Sequence, residues 1–494
     1  MEVLGYIIIG FYAISLLYIT IYCLFQFHLL LHYTKSKRSS QKRIEAKPEL
    51  NGKYPFVTIQ LPIFNEYFVV ERLIDNICDL DYPRDRFEVH ILDDSTDETV
   101  ELSQKKVEEY KARGFNIELI RRKNRQGYKA GALRDAMAYA KGEFIAIFDA
   151  DFLPQKDFLK STLPYFNDEQ VGIVQTRWGH INQAYSMLTE LQAMQLNVHF
   201  TVEQEGRESA NYFLQFNGTA GVWRRSTIDD AGGWEADTLT EDLDLSYRAQ
   251  LKNWKIVYLE EVKSPAELPA EMHGLKSQQY RWMKGGAETA KKLLPKVWAS
   301  DLSISQKVHA SGHLLASSVF LFVFTIGVLS VPLLVLINPM KVDVSVLGFF
   351  LISLLAIIAV YYVANVESAW EGRSRVRSIV KFVVLFPAFL ALSMGLSLHN
   401  SIAVLQGYLG RQSSFVRTPK FGISNITDRL NRVRYRKSKI SLVTILEGIL
   451  ALYFFAAIIL GLYLGDSSFM IFHLLLFFGY SSIFYYSIKH LSHQ

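Results

Sequence analysis

The sequence predicts a doubly wound, mostly parallel α/β sheet joined to an α-helical transmembrane region. Short apolar runs alternate with helix-length stretches between residues 50 and 150. Five other stretches stay apolar over roughly 20 residues each, the length a bilayer demands. Basic residues collect beside those stretches and not within them. The chain has 494 residues, too many for one small module, and 20% are charged, against about a quarter in ordinary soluble domains. Its net charge of +5 is too mild to indicate nucleic acid, and two cysteines cannot form a disulfide framework.

The expected spans are residues 4–31, 308–337, 346–364, 442–464 and 469–488. The first has no basic region before it and no small-residue cleavage site after it, so it reads as an uncleaved anchor. Lys35, Lys37, Arg38, Lys42 and Arg43 follow it, and Arg373, Arg375 and Arg377 follow the third span. Arg429, Arg432, Arg434, Arg436, Lys437 and Lys439 precede the fourth. All three segments are expected to face the cytoplasm, while the links 338–343 and 465–468 face out. Segment 379–410 begins apolar, contains Pro387 and turns polar at His399, Asn400 and Gln406. A full crossing there would put the third basic segment outside. It is therefore expected to be interfacial or re-entrant, with five spans, the N-terminus out and the C-terminus in; a six-span arrangement is the alternative. The domains expected are an anchor over 1–34, a cytosolic body over 35–300 and a membrane region over 301–494.

Within the body, residues 56–61, 87–92, 117–120 and 144–148 read as buried parallel strands. Glu66–Ile77, Glu98–Arg113 and Lys129–Ala140 read as the helices between them. Such sheets bind ligands at the carboxyl ends of their strands. There is no GxGxxG and no GxxxxGK[ST], so neither a dinucleotide site nor a P-loop is supported.

Asp93-Asp94-Ser95-Thr96-Asp97 follows the second strand. Ser95 and Thr96 serve equally well as helix caps, but paired acids are a costly cap, and Asp93 and Asp94 point to ligand contact. Asp149-Ala150-Asp151 follows the fourth strand, and residues i and i+2 of an extended segment face one way. Two converging carboxylates attract a hard cation such as Mg²⁺ or Mn²⁺, shared with phosphate oxygens. Thr240-Glu241-Asp242 opens a helix, and on its own it reads as a cap with acids suited to the dipole. Lys129 starts a helix, where a cation opposes the dipole and answers an anion instead. Gln278-Gln279-Tyr280-Arg281-Trp282 precedes the second span, where snorkelling and an interface belt are the plain alternative. Glu447, about one turn into the fourth span, reads equally as channel lining or as a snorkelling acid.

Together, Asp93-Asp94, Asp149-x-Asp151, Thr240-Glu241-Asp242 and Gln278-x-x-Arg281-Trp282 resemble the processive membrane glycosyltransferases of the cellulose synthase superfamily. DDSTDET, GYKAGAL, FDADF, HFTVEQE, FNGTAGVWR and QQYRW are similar to its cellulose synthase-like A and C branch, the mannan and xyloglucan-backbone synthases. Phe415-Val416-Arg417-Thr418-Pro419-Lys420, within 411–424, is similar to the F-x-V-T-x-K gating loop, departing from it at Val416-Arg417. The resemblance covers residues 50–300 and the membrane arrangement. It implies a GT-A-type fold and a processive, inverting transfer of hexose from UDP-glucose or GDP-mannose to a growing polysaccharide, with translocation across the membrane.

The resemblance also implies roles. Asp242 is the general base, with Glu241 the runner-up. Asp93, Asp94, Lys129, Asp149, Arg281, Phe415, Thr418 and Lys420 bind the donor, and Asp149 and Asp151 hold the metal. Gln278, Trp282, Asn217, Gly218 and Thr219 bind the acceptor. The partners expected are donor, polysaccharide and lipid bilayer, without nucleic acid; a homo-oligomer is left open. The host membrane is a bacterial inner membrane or a eukaryotic Golgi or plasma membrane. The rival functions are a non-processive enzyme acting on a lipid such as ceramide and, more remotely, a transporter or receptor with a cytosolic regulatory domain.

Overall fold

The computed structural model describes residues 2–40, 49–50, 52, 54–340, 351–368, 374–413, 415–424, 428 and 440–492. Lys42, Arg43, Arg373, the basic segment 429–439, the start of the expected span 346–364, the end of the link 338–343 and Ser414 lie outside the described residues.

Among the described residues, seven strands form one sheet: β1 (Val57–Ile63), β2 (Phe87–Asp93), β3 (Ile117–Ile120), β4 (Phe144–Ile147), β5 (Val171–His180), β6 (Gly221–Arg224) and β7 (Lys255–Ala266). Their order is β3-β2-β1-β4-β6-β5-β7. All neighbours are parallel except β6, which runs antiparallel to both β4 and β5. The first four lie within two residues of the expected runs. The last three strands have no counterpart in the reading of the sequence.

Side-chain alternation sends each strand to two cores. Ile59, Leu61, Val89, Ala146 and Val222 enter one. Leu92, Ile145, Ile147 and Trp223 enter the other. Each fully buried aliphatic or aromatic side chain there stabilises the fold by about 1.5–3 kcal/mol. On β1 the buried Thr58 donates to Glu88 at 2.7 Å, whereas the buried Gln60 side-chain amide has no hydrogen-bond partner among the described residues. The first expected helix begins four residues late, at Val70, because Asn65 adopts a positive φ of 55° and the chain turns before it winds. That turn frees Glu66 from a helix surface.

Among the described residues, five helices are long and apolar enough to cross a membrane: Val3–Arg38, Ala316–Leu336, Arg375–Gly395, Leu442–Leu464 and Met470–Lys489. This set differs from the expected one. Ile352–Glu367 is a shorter apolar helix among the described residues, whereas Arg375–Gly395 has the length and composition of a span. Segment 379–410, expected to be a single interfacial element, contains two helices of different character, Arg375–Gly395 and Ser397–Tyr408. The first meets the last helix where Gly395 and Gly479 touch backbone to backbone; a Cβ on Gly395 would lie 2.5 Å from the Gly479 carbonyl carbon. Small residues permit such close helix contact in a bilayer. The second lies along the helix Met272–Ala299, tied by Tyr280 to Gln406 at 2.5 Å and by His399 to the Lys276 carbonyl at 2.9 Å.

Glu447 follows neither of its two readings. It is wholly buried, and both its oxygens accept from Lys276 Nζ at 2.8 Å. A buried charge is tolerable when its partner is this close.

Candidate active site

The carboxyl ends of the parallel strands open on one edge of the sheet, and antiparallel β6 begins there. They enclose a cavity of about 200 Å³. Its walls carry Asp94, Lys129, Asp149, Asp151, Asn217, Gly218, Glu241, Asp242, Gln278, Arg281, Trp282, Phe415, Thr418 and Lys420. Groups more than 300 residues apart in the sequence thus face a single space.

Three of these acids, Asp94, Asp149 and Asp151, are each paired with a cation. Asp94 is gripped by Arg122 through Nε at 3.1 Å and Nη2 at 2.5 Å. Lys129 Nζ reaches Asp149 Oδ1 at 2.5 Å and the Gly218 carbonyl at 2.9 Å. Burial alone would lower the lysine's pKa, but Asp149 and Glu241 outweigh it and hold it above the usual value. Asp151 Oδ2 accepts from Lys420 Nζ at 2.7 Å and from the Glu267 amide at 3.0 Å.

Asp242 is pushed up to about 7, by burial first and by the Glu241 charge second. Glu241 is raised as well, chiefly by burial. Two neighbouring carboxylates with elevated pKa values in a cleft mark a proton-transfer site. Gly218 has φ +77°, and a Cβ there would sit 3.0 Å from Asp242 Oδ2 and 3.5 Å from Lys129 Nζ. Gly218→Ala therefore adds backbone strain of about 1–2 kcal/mol and displaces the Asp242 carboxylate and the Lys129 ammonium together. Activity is expected to fall about 100-fold with little change in melting temperature, since misplacement near 1 Å has that scale. Unchanged turnover in that variant contradicts this packing role.

The segment from Phe415 is docked over the cavity. Phe415 stacks on Tyr128 with centroids 5.6 Å apart, and the Arg281 guanidinium lies 4.8 Å from the Phe415 ring. Arg281 also donates to the Val416 carbonyl, and to Thr418 Oγ1 at 3.0 Å. Burial lowers the Arg281 pKa to about 10, against the pull of Asp149 and Glu241. Arg417 Nη1 pairs with Glu66 Oε2 at 3.0 Å. The Glu267 carboxylate accepts the amides of Phe421 at 2.8 Å and Ile423 at 3.1 Å, while its carbonyl accepts from Lys420 at 2.7 Å.

Two expected contacts do not reach the cavity. Asp93 is 1% exposed and its Oδ1 accepts from the Ser95 amide at 2.8 Å, so it shapes the turn that carries Asp94. Thr219 is fully buried, and its hydroxyl accepts from the Asp149 amide at 2.9 Å. It braces Asp149 from behind, in the turn that leads into β6. Asn217 does face the cavity, with Oδ1 bonded to His199 Nε2 at 2.7 Å.

Glu66, Glu267 and Arg122 were not singled out from the sequence. Each follows a strand, and that position was the available signal; the partners that give them meaning are distant in sequence. Arg417, seen only as a departure from a loop pattern, is explained by Glu66.

Among the described residues, one group of three acids has ligand atoms within 4.8 Å of one another: Glu235, Asp237 and Asp244. Lys292 Nζ already fills it, at 2.6, 2.8 and 3.0 Å, and none of the three lines the cavity. Asp149 and Asp151 do line it, with Asp149 Oδ1 held by Lys129 and Asp151 Oδ2 by Lys420, so an ion bound there shares these carboxylates with the two lysines.

A glycosyltransferase-like family 2 model matches residues 55–285. Glucomannan 4-beta-mannosyltransferase 1 from Cyamopsis tetragonoloba is 43% identical over 277 residues, 54% of this chain and 53% of that protein. Glucomannan 4-beta-mannosyltransferase 7 from Arabidopsis thaliana is 35% identical over 415 residues, 81% of this chain and 71% of that protein. The chain belongs to glycosyltransferase family 2. These relatives are of the cellulose synthase-like A branch that the motifs resemble. With the Cyamopsis protein and its namesake from Oryza sativa, the match spans about half of the relative's own length, 53% and 52%. A mannosyltransferase from Pyrobaculum calidifontis, solved in complex with GDP-Man and Mn²⁺, covers 81% of this chain and 100% of its own at a TM-score of 0.54 and 19% identity. That likeness establishes the GT-A fold expected for the family.

Proposed function

We propose that this chain transfers mannosyl units from GDP-mannose to the end of a β-linked glucomannan-type chain, with inversion, repeating the step and passing the product across the membrane. The observation that carries this reading is Asp242, a carboxylate with pKa near 7, facing the same small cavity as Asp149, Lys129 and Arg281. The names of the relatives favour mannose over glucose and a polysaccharide over a lipid acceptor. The docked segment 415–424 and the five span-length helices support processive synthesis at a membrane.

Asp242 takes the proton from the incoming acceptor hydroxyl as that oxygen attacks the anomeric carbon from the face opposite the leaving diphosphate. Glu241 keeps that base poised by raising its proton affinity. Lys129 and Arg281 present fixed positive charge where the diphosphate departs. Asp94 contacts the nucleotide, held in place by Arg122. Trp282 offers a flat face for a pyranose, and Gln278, Asn217 and Gly218 line the acceptor side. Phe415 covers the donor and excludes water. Asp149 and Asp151 would hold Mg²⁺ or Mn²⁺, which supplies charge neutralisation to the leaving group.

The test is incorporation of radiolabel from GDP-mannose and, separately, UDP-glucose by the purified full chain, followed by digestion with linkage-specific glycosidases. A β-mannosidic polymer from GDP-mannose is expected. Label recovered only in lipid sets the polysaccharide reading aside.

Two further outcomes are expected. With the Asp242 pKa near 7 in the free protein, the base is protonated below that pH and cannot accept a proton. kcat/KM should then rise about tenfold per pH unit on the acid side and level off above about pH 7. A flat profile between about pH 5.5 and 8.5 removes Asp242 as the base. Asp151→Ala should weaken donor affinity at least tenfold and blunt the response to added Mg²⁺ or Mn²⁺, since even outer partners of a metal site are worth about 10–100-fold. An unchanged metal titration, read by donor binding, places the ion elsewhere.

A further inference from the structure

A second cavity, of about 670 Å³, adjoins the first. It lies between the end of the helix Glu2–Ser40, the helix Met187–Val198, the turn Val363–Glu367 and the first turns of the helix Arg375–Gly395. The last three residues of β5, Trp178, Gly179 and His180, line both cavities. The proposed transfer site and the larger chamber thus meet at the end of β5.

The chemistry of that chamber narrows its ligand. Five basic and four acidic side chains line it, a net of +1. Six of these charges are paired with one another: Lys37 with Glu260 at 2.6 Å and Glu261 at 3.5 Å, Arg177 with Glu260 at 3.1 Å and Lys381 with Glu190 at 2.6 Å. Charges so paired attract ions weakly, and their remaining hydrogen-bonding capacity suits hydroxyl groups. Trp178, Tyr33 and Phe382 add aromatic surface, and Gln183, Asn197 and Asn365 add amides that both donate and accept. Aromatic planes interleaved with amides and neutralised ion pairs recognise a neutral polyol. The volume is within the range of about 300–1,000 Å³ typical of ligand sites.

We infer that this chamber is a second glycan-binding site, holding sugar units of a β-linked oligosaccharide beyond those seated at Trp282. The inference rests on the proposed glycosyl transfer for the identity of the sugar, but not for the existence of the site. Holding the chain there keeps its growing end near Asp242 between additions, and affinity should therefore grow with acceptor length.

The test separates the two readings by measuring binding without turnover. β-1,4-linked mannohexaose and mannobiose are titrated into the purified full chain by calorimetry, without donor. Two variants of the chamber wall are compared with the natural chain: Ser378→Phe, which fills space, and Gln183→Ala, which removes an amide. Neither residue lines the transfer cavity. Mannohexaose is expected to bind the natural chain at least tenfold tighter than mannobiose. Each variant should erase most of that difference while leaving mannobiose within twofold. Equal affinity for both sugars in the natural chain, or variants that keep the full length preference, overturns the site. Should Ser378→Phe lower the melting temperature, Gln183→Ala alone decides. Loss of transfer activity with the length preference intact would instead count against the proposed function and leave this site standing.

Discussion

Asp242→Asn is expected to abolish sugar transfer, lowering kcat by about 10³-fold, while donor binding stays within twofold. The asparagine keeps the shape and the hydrogen bond from the Leu243 amide, which is 2.9 Å from Asp242 Oδ1. It removes only the ability to accept a proton, and general base catalysis is worth about 10²–10⁴-fold. Glu241 beside it cannot substitute without moving the helix Glu241–Gln250, whose first turn holds both carboxylates. The measurement pairs label incorporation with calorimetric titration of the nucleotide sugar. Turnover within tenfold of the natural chain would remove Asp242 from the reaction.

The second large effect concerns the segment over the cavity. Phe415→Ala with Lys420→Ala is expected to cut turnover about 100-fold, shorten the product and raise donor hydrolysis. The ring loses its stack on Tyr128 and its contact with Arg281. The ammonium loses Asp151, leaving a carboxylate in the cavity without that partner. Closure assembles charge and excludes water, and reopening must follow each addition; the docked state is held by polar contacts, the Phe415 stack and a small apolar cluster of Phe421 and Ile423 with Ala270. Glu66–Arg417 and the Glu267 carboxylate still tether the segment in the double variant. It therefore stays near the site, and the loss reports on the two removed groups. Sugar incorporated per minute and product length are the readouts. Polymer made at natural rate and length would reduce the segment to a membrane-surface loop.

Much of this was legible in the amino-acid order. The runs at β1 to β4 are continuous, apolar and bounded by turns, and local patterning suffices when a strand is buried on both faces. β5 and β7 were not anticipated. They carry polar residues such as Gln175, Thr176 and Lys263 amid apolar ones, and their partner strands are far away in sequence. The acids at strand ends stand out because like charges in a row are costly without a ligand or a cation. Their partners do not stand out: Arg122 for Asp94, Lys420 for Asp151 and Glu66 for Arg417 are matched across as many as 351 positions by folding alone. Thr219 and Asp93 show the limit from the other side. Their residue types suit ligand contact, yet backbone direction turned one beneath β4 and folded the other into its own turn.

Four of the seven strands, most of the apolar helices and the residue types fit for the chemistry were readable from local order, because periodicity, hydrophobic length and charge cost act locally. Folding in three dimensions set which of those residues face one cavity, that segment 379–410 contains two helices, and that Glu447 is neutralised by Lys276. Those outcomes depend on contacts between groups separated by many residues, and the free energy of such a contact exists only once the chain has closed the loop between them.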